Sequence, residues 1–166
     1  MNDIKQTQTL VLIAMMTALV TAVTMMFRIP LPIGGYINLG DVVVMSAVLV
    51  LPIRGALIAA AVGSALADIL SSYAHYAVFT FFIKALEAWV VFKLLNKKTQ
   101  KRQVVPFVMG ALVMMIGYGL VDGFLAGEAA VILSSMLYNS AQALASALII
   151  ILLYPHILRL KKHLRG

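Results

Sequence analysis

The chain contains no cysteine, three histidines and only six carboxylate side chains in 166 residues. Without cysteine there is no disulfide framework, no thiolate metal site and no cysteine nucleophile, and the redox compartment is left open. The histidines, His75, His156 and His163, fall at span ends or in a basic tail. They lack the HExxH spacing or the clustered His and carboxylate pattern that a metal site needs. No GxxxxGK[ST] loop is present to cradle phosphates, and no GxSxG element to carry a serine nucleophile. ATP hydrolysis by this chain and serine hydrolysis are therefore set aside. Charge is scarce altogether, at 11% of residues.

What fills the chain instead is apolar: 63% of residues are hydrophobic and the mean hydropathy is +1.01. Several runs approach roughly 20 residues, the length that crosses about 30 Å of hydrocarbon. The expectation is an all-α integral membrane protein with little left over for a soluble domain. Breaks at Arg28 to Gly40, Pro52 to Gly55, Ser71 to His75, Asn96 to Val105 and Ala126 to Ala129 divide the chain. They predict six transmembrane helices in one compact bundle, at 8–27, 38–52, 55–72, 76–95, 105–125 and 129–156. The second is problematic, because Asp41 to Pro52 gives only about 17 Å of helix; it must begin earlier, tilt, or thin the bilayer. Leu10 to Phe27 is long for a signal segment and no small-residue cleavage site follows, so it reads as a retained helix.

The formal charge of +7 is unevenly placed. Six spans with the N-terminus inside put Lys5, Arg54, Lys93, the run NKKTQKR at 96–102 and the tail cations on the cytoplasmic side. That accounts for 11 of the 13 cations, leaving Arg28 in the first outer loop and Lys84 inside the fourth span. The positive-inside rule thus favours an even span count with both termini cytoplasmic, and nucleic acid is a poor explanation of the charge.

Ionisable groups in hydrocarbon usually face the bundle interior and mark sites. Lys84 and Glu87 share one face of the fourth helix, and two readings stay open: an ion pair locking helices, or a ligand contact by one of them. Asp68 and Asp122 lie near the outer C-terminal ends of their helices, where the helix dipole disfavours a carboxylate. A cation such as Arg28 or Lys84, a substrate hydroxyl or plain solvation would have to compensate. Asp41 reads as a helix cap, and Glu128 as favouring the start of the sixth helix. Asn139 and Gln142 are carboxamides deep in the last span, suited to interhelical hydrogen bonds or to a substrate's polar groups. Tyr36, Tyr73, Tyr76, Tyr118 and Tyr138 gather in the outer half, as an aromatic belt or as the wall of a pocket for a flat ring. Ala14, Ala18 and Ala22 make a smooth stripe along the first helix that lets some other helix approach closely.

The runs GYINLGDVVV, LPIRGALIAAAVGSALADIL, FTFFIKALEAWVV and YNSAQALASALI together resemble the S components of energy-coupling factor (ECF) transporters, over about residues 8–156. Gly35 to Asp41 and Ala14-x-x-x-Ala18 are the most specific part. Within that family the chain is most similar to the branch associated with hydroxymethylpyrimidine or pyridoxine uptake. The resemblance implies a six-helix subunit of the bacterial cell membrane that captures a vitamin at the outer face, beneath the loop between the first two helices. It implies no cofactor of its own, with ATP used by two cytoplasmic ATPases that act through a membrane coupling protein and topple the loaded subunit. Substrate contacts would come from Tyr36, Asn38 and Asp41 in the loop region and from Lys84, Glu87, Tyr118, Asp122, Asn139 and Gln142 on later helices. Ala14, Ala18 and Ala22 would dock on the coupling protein. An S component for pantothenate, riboflavin or a thiamine precursor is the alternative. Rivals from other classes are a gradient-driven carrier, a small intramembrane enzyme built on Lys84, Glu87 and Asp122, and a purely structural assembly subunit.

Overall fold

The structure, a computed structural model, describes residues 2–32, 35–95 and 103–163. Six helices follow one another: α1 (Asn2–Met26), α2 (Gly40–Val50), α3 (Ile53–Leu70), α4 (Ala77–Leu94), α5 (Val105–Ala126) and α6 (Ala129–His163). Between α1 and α2 the chain folds into a small antiparallel hairpin, β1 (Ile29–Pro30) and β2 (Tyr36–Ile37). Ile29 stands opposite Ile37 and Pro30 opposite Tyr36. The protein is an all-α integral membrane protein, and the hairpin is its one feature of other character among the described residues.

The shortest helix lies at the centre. The sequence of α2, GDVVVMSAVLV, is apolar on nearly every side, the pattern of a helix surrounded by protein. Val43, Val44, Met45, Ala47, Val48 and Leu49 are buried, and α2 packs against all five other helices. Those five form an arc, with α1 on α3, α3 on α4, α4 on α5 and α5 on α6. α2 closes it by packing on both α6 and α1. A helix enclosed in this way has no need to cross the hydrocarbon by itself, which removes the difficulty posed by its length. Pro52 ends it, since proline has no N–H to continue the ladder, and its extended backbone starts α3.

Four helices, α1, α3, α5 and α6, are long and apolar enough to cross a membrane. α4 has a comparable 18 residues but carries Lys84, Glu87 and Lys93, of which the first two are turned into the bundle. Met15, Phe82, Leu133, Leu137 and Leu144 are exposed, as expected of surface meeting acyl chains rather than water. The core is filled by Val20, Val44, Met45, Phe107, Met114 and Ile150 from four helices. α1 and α3 approach closely at Gly63: the Thr21 hydroxyl donates to the Gly63 carbonyl at 2.8 Å, and a Cβ there would come within 2.8 Å of the Thr17 carbonyl oxygen.

Two helix limits differ from those expected from hydropathy. α1 starts at Asn2 rather than at 8, and α6 runs to His163 rather than to 156. Hydropathy reports where a helix meets hydrocarbon, whereas the backbone ladder continues for as long as packing or solvent satisfies it. α6 passes through Pro155 because its far end is anchored. Tyr154 packs edge-on to Phe107 with ring centroids 5.8 Å apart, Ile157 and Leu158 lean on the core, and the Lys161 ammonium donates to the Leu49 carbonyl at the end of α2. The basic run at 96–102 on which the orientation reading partly rests lies outside the described residues.

Candidate functional site

The loop hairpin, the C-terminal ends of α3 and α5 and the N-terminal parts of α4 and α6 meet at one end of the bundle. There they enclose a cavity of about 320 Å³ including its open side, lined by Leu31, Gly35, Tyr36, Asn38, Asp68, Tyr76, Tyr118, Asp122 and Asn139. The hairpin reaches over it through Gly35, whose φ of +64° is a left-handed conformation that glycine adopts without a Cβ clash. The Gly35 carbonyl accepts the Leu31 N–H at 3.2 Å and closes the turn.

Two buried carboxylates define the chemistry of the wall. Asp68 and Asp122 are 1% and 4% exposed, so neither is solvated. Among the described residues no cation forms a salt bridge with either; hydroxyl groups of the protein hydrogen-bond them instead. The Tyr36 hydroxyl donates to Asp68 Oδ1, the Tyr76 hydroxyl to Asp122 Oδ1 at 2.6 Å, and the Ser135 hydroxyl to Asp122 Oδ2. Of the expected sources, a cation such as Arg28 or Lys84, a substrate hydroxyl or solvation, among the described residues neither a salt bridge nor solvation is present, and the hydroxyls that serve are the protein's own. Arg28 instead donates to the Ser71 carbonyl at 3.2 Å and lies 5.8 and 5.6 Å from the Tyr36 and Tyr73 ring centroids at the cavity rim. Burial, and after it the adjacent Asp68 carboxylate, push the Tyr36 phenol above its ordinary range, so it stays a protonated donor.

The remaining polar wall groups are oriented by their neighbours. Asn139 Nδ2 donates to the Ser135 carbonyl at 3.0 Å and to its hydroxyl at 3.1 Å. The Tyr118 hydroxyl donates to Thr80 Oγ1 at 3.1 Å, and the Thr80 side chain stands beside Asp68. Tyr36, Tyr73, His75 and Tyr76 form a chain of ring contacts at the mouth, with centroids 4.6 to 6.3 Å apart.

Beneath this cavity lies a second polar layer, linked by its own hydrogen bonds, with Glu87 Oε1 left without one. Lys84 donates to Asp41 Oδ1 and to Glu87 Oε2, the latter at 2.9 Å, with all three side chains buried. Gln142 Nε2 donates to Asp41 Oδ2 at 2.5 Å, while Gln142 Oε1 accepts the Asn38 backbone N–H at 2.6 Å. Asn38 Oδ1 in turn accepts the Gly40 N–H at 2.7 Å. Asn38, not Asp41, therefore serves the start of α2, which has no side-chain cap at its N-cap residue Leu39. The expected capping role of Asp41 is corrected: its carboxylate turns inward to meet an ammonium, because a buried cation needs a counter-charge more than a helix start needs a cap. Glu128 is exposed immediately before α6.

Of the residues singled out from sequence, Tyr36, Asn38, Tyr118, Asp122 and Asn139 line the cavity, and Asp41, Lys84, Glu87 and Gln142 form the layer below it. Asp68 and Tyr76 line the wall as well, and Ser135 and Thr80 support it. These four were absent from the sequence-based set of substrate contacts. Asp68 and Tyr76 carried a signal, a carboxylate at a helix C-terminus and a tyrosine in the outer half; the serine and threonine carried none. The Ala14, Ala18 and Ala22 stripe is not covered by the described helices: all three are exposed on α1, beside Val11, Met15 and Leu19.

Comparison with known proteins bears directly on this arrangement. Residues 4–161 match the family model described as the ECF-type riboflavin transporter, S component. A Pyrococcus woesei protein described as an uncharacterized protein in the gap 3′ region is 38% identical over 135 residues, spanning 79% of this chain and 88% of its own length. The chain belongs to the family of ECF-type transporter S components, membrane-embedded subunits of vitamin transport systems that are not themselves enzymes.

Proposed function

We propose that the chain captures a flat nitrogen heterocycle bearing hydroxyl or amino groups in the cavity beneath the α1–α2 hairpin. Pyridoxine or hydroxymethylpyrimidine is the favoured substrate, and riboflavin, supported by the description of the matching family model, is the alternative. The observation that carries this reading is the pairing of aromatic walls, Tyr36, Tyr76 and Tyr118, with two buried carboxylates and a carboxamide in one cavity. Rings supply stacking surface and the polar atoms fix orientation. An anionic vitamin such as pantothenate would meet Asp68 and Asp122 as like charges.

The cavity opens at the end of the bundle opposite Arg54, Lys93 and Lys161, which the positive-inside rule assigns to the cytoplasm. Substrate then enters from outside and leaves inward only through partners, a membrane coupling protein and two cytoplasmic ATPases. The exposed alanine stripe on α1 supplies the docking face, because small side chains allow close helix approach in lipid. Titration calorimetry of the purified chain with pyridoxine, hydroxymethylpyrimidine, riboflavin and pantothenate tests the binding step. Saturable one-to-one binding of one heterocycle is expected; uptake by the chain alone in liposomes under an ion gradient would replace this reading with that of a carrier.

A further inference from the structure

The cavity wall has an imbalance of hydrogen-bonding capacity. The hydroxyl protons of Tyr36, Tyr76, Tyr118 and Ser135, and the amide protons of Asn139, are all donated to acceptors of the protein itself. What is left over is acceptor capacity. Asp68 Oδ2 is buried without a hydrogen bond, on a side chain that lines the cavity. Among the described residues, Asn38 Nδ2 is the one lining side-chain donor without an acceptor in the protein. A ligand seated here must therefore bring donors.

Charge points the same way. Among the described residues the buried charged side chains are Asp41, Asp68, Glu87 and Asp122 against the single ammonium of Lys84. Lys84 is engaged by Asp41 and Glu87, and among the described residues no salt bridge reaches Asp68 or Asp122. A chain whose formal charge is +7 thus buries more carboxyl groups than cationic groups among its described residues, two of them in the cavity wall. A buried carboxylate held only by neutral hydroxyls is costly to ionise in a low-dielectric setting, and a counter-charge delivered there is correspondingly favoured. The ring faces of Tyr36 and Tyr118 already attract cationic side chains, Arg28 at 5.8 Å and Lys84 at 5.4 Å from the centroids, as electron-rich rings do.

We propose that the bound substrate carries a cationic N–H group, a protonated ring nitrogen or an ammonium, and seats it on Asp68 Oδ2 between Tyr36 and Tyr118. The proposal rests on the reading of the cavity as the substrate site and narrows it: a basic heterocycle is selected over a non-basic one of similar flatness.

The test is calorimetry of the full-length chain with pyridoxamine and hydroxymethylpyrimidine as basic probes, the benzene analogue of hydroxymethylpyrimidine as its uncharged match, and riboflavin as a neutral flat ring. The basic probe should bind roughly 10- to 100-fold more tightly than its benzene match, the value of one hydrogen bond to a charged group. Asp68→Asn should erase most of that ratio. If this variant fails to fold, the wild-type ratio between the matched probes still decides. Equal affinities within the pair, or riboflavin binding more tightly than every basic probe, would overturn the cationic selection while leaving the substrate site intact. Failure of every probe to bind would overturn the site assignment as well.

Discussion

Lys84 on α4 reaches across the bundle to Asp41 on α2 and holds Glu87, one turn further along its own helix, at 2.9 Å. The three groups are buried, and Gln142 completes the shell around Asp41. Removing one member of such a group leaves an uncompensated charge, so Lys84→Met should destabilise the fold by about 3–5 kcal/mol. Combining it with Asp41→Asn and Glu87→Gln should restore most of the loss. Thermal unfolding in detergent, followed by the fluorescence of Trp89, measures both; a single variant as stable as wild type would remove the triad from the account of stability.

Asn139 stands at the cavity wall one turn above Gln142, with its amide group fixed by Ser135. Asn139→Ala should weaken substrate binding by about 1–3 kcal/mol, the cost of losing one buried hydrogen-bonding group, with folded yield unchanged. Unaltered affinity by calorimetry would take Asn139 out of the substrate site.

The raised Tyr36 phenol makes a prediction in pH. A folded-state proton held more tightly than in the unfolded chain contributes stability that is fully present below the unfolded tyrosine value of about 10 and is lost as pH rises above it. Melting temperature should therefore decline above about pH 10, and Tyr36→Phe should make that decline shallower. A variant with the same alkaline slope as wild type would show that Tyr36 contributes nothing to it.

The alanine stripe of α1 predicts a separation of functions. Ala14→Trp or Ala18→Trp places bulk on an exposed face remote from the cavity. Either should abolish assembly with the coupling module and uptake in cells, while vitamin affinity of the isolated chain stays nearly unchanged. Pull-down and calorimetry on the same preparations read the two properties; loss of affinity with assembly intact would contradict the assignment of that face.

The six helices were legible because runs of apolar residues separated by Pro, Gly and charge are a local signal. The central position of α2 was not read, although its apolar character on all sides was the clue: a helix too short to span and without a polar face belongs in a core. Asp41 was misread because a carboxylate just before an apolar helix ordinarily caps it. Its actual partners, Lys84 and Gln142, lie 43 and 101 residues away, beyond any local pattern. Tyr36 and Asp68 are likewise 32 residues apart and Tyr76 and Asp122 46, so the hydrogen bonding of two helix-end carboxylates by tyrosine hydroxyls emerges only once the helices pack. The carboxylates themselves were conspicuous, because so few charges occur in these spans.

The central claim is that this chain alone holds one small heterocycle in the cavity under its hairpin. Mass spectrometry of small molecules released from gently purified protein tests it most directly. The account predicts a single nitrogen heterocycle at near-stoichiometric yield, diminished in the Asn139→Ala protein. Protein that releases no such compound, and binds none when the vitamins are added back, would contradict it.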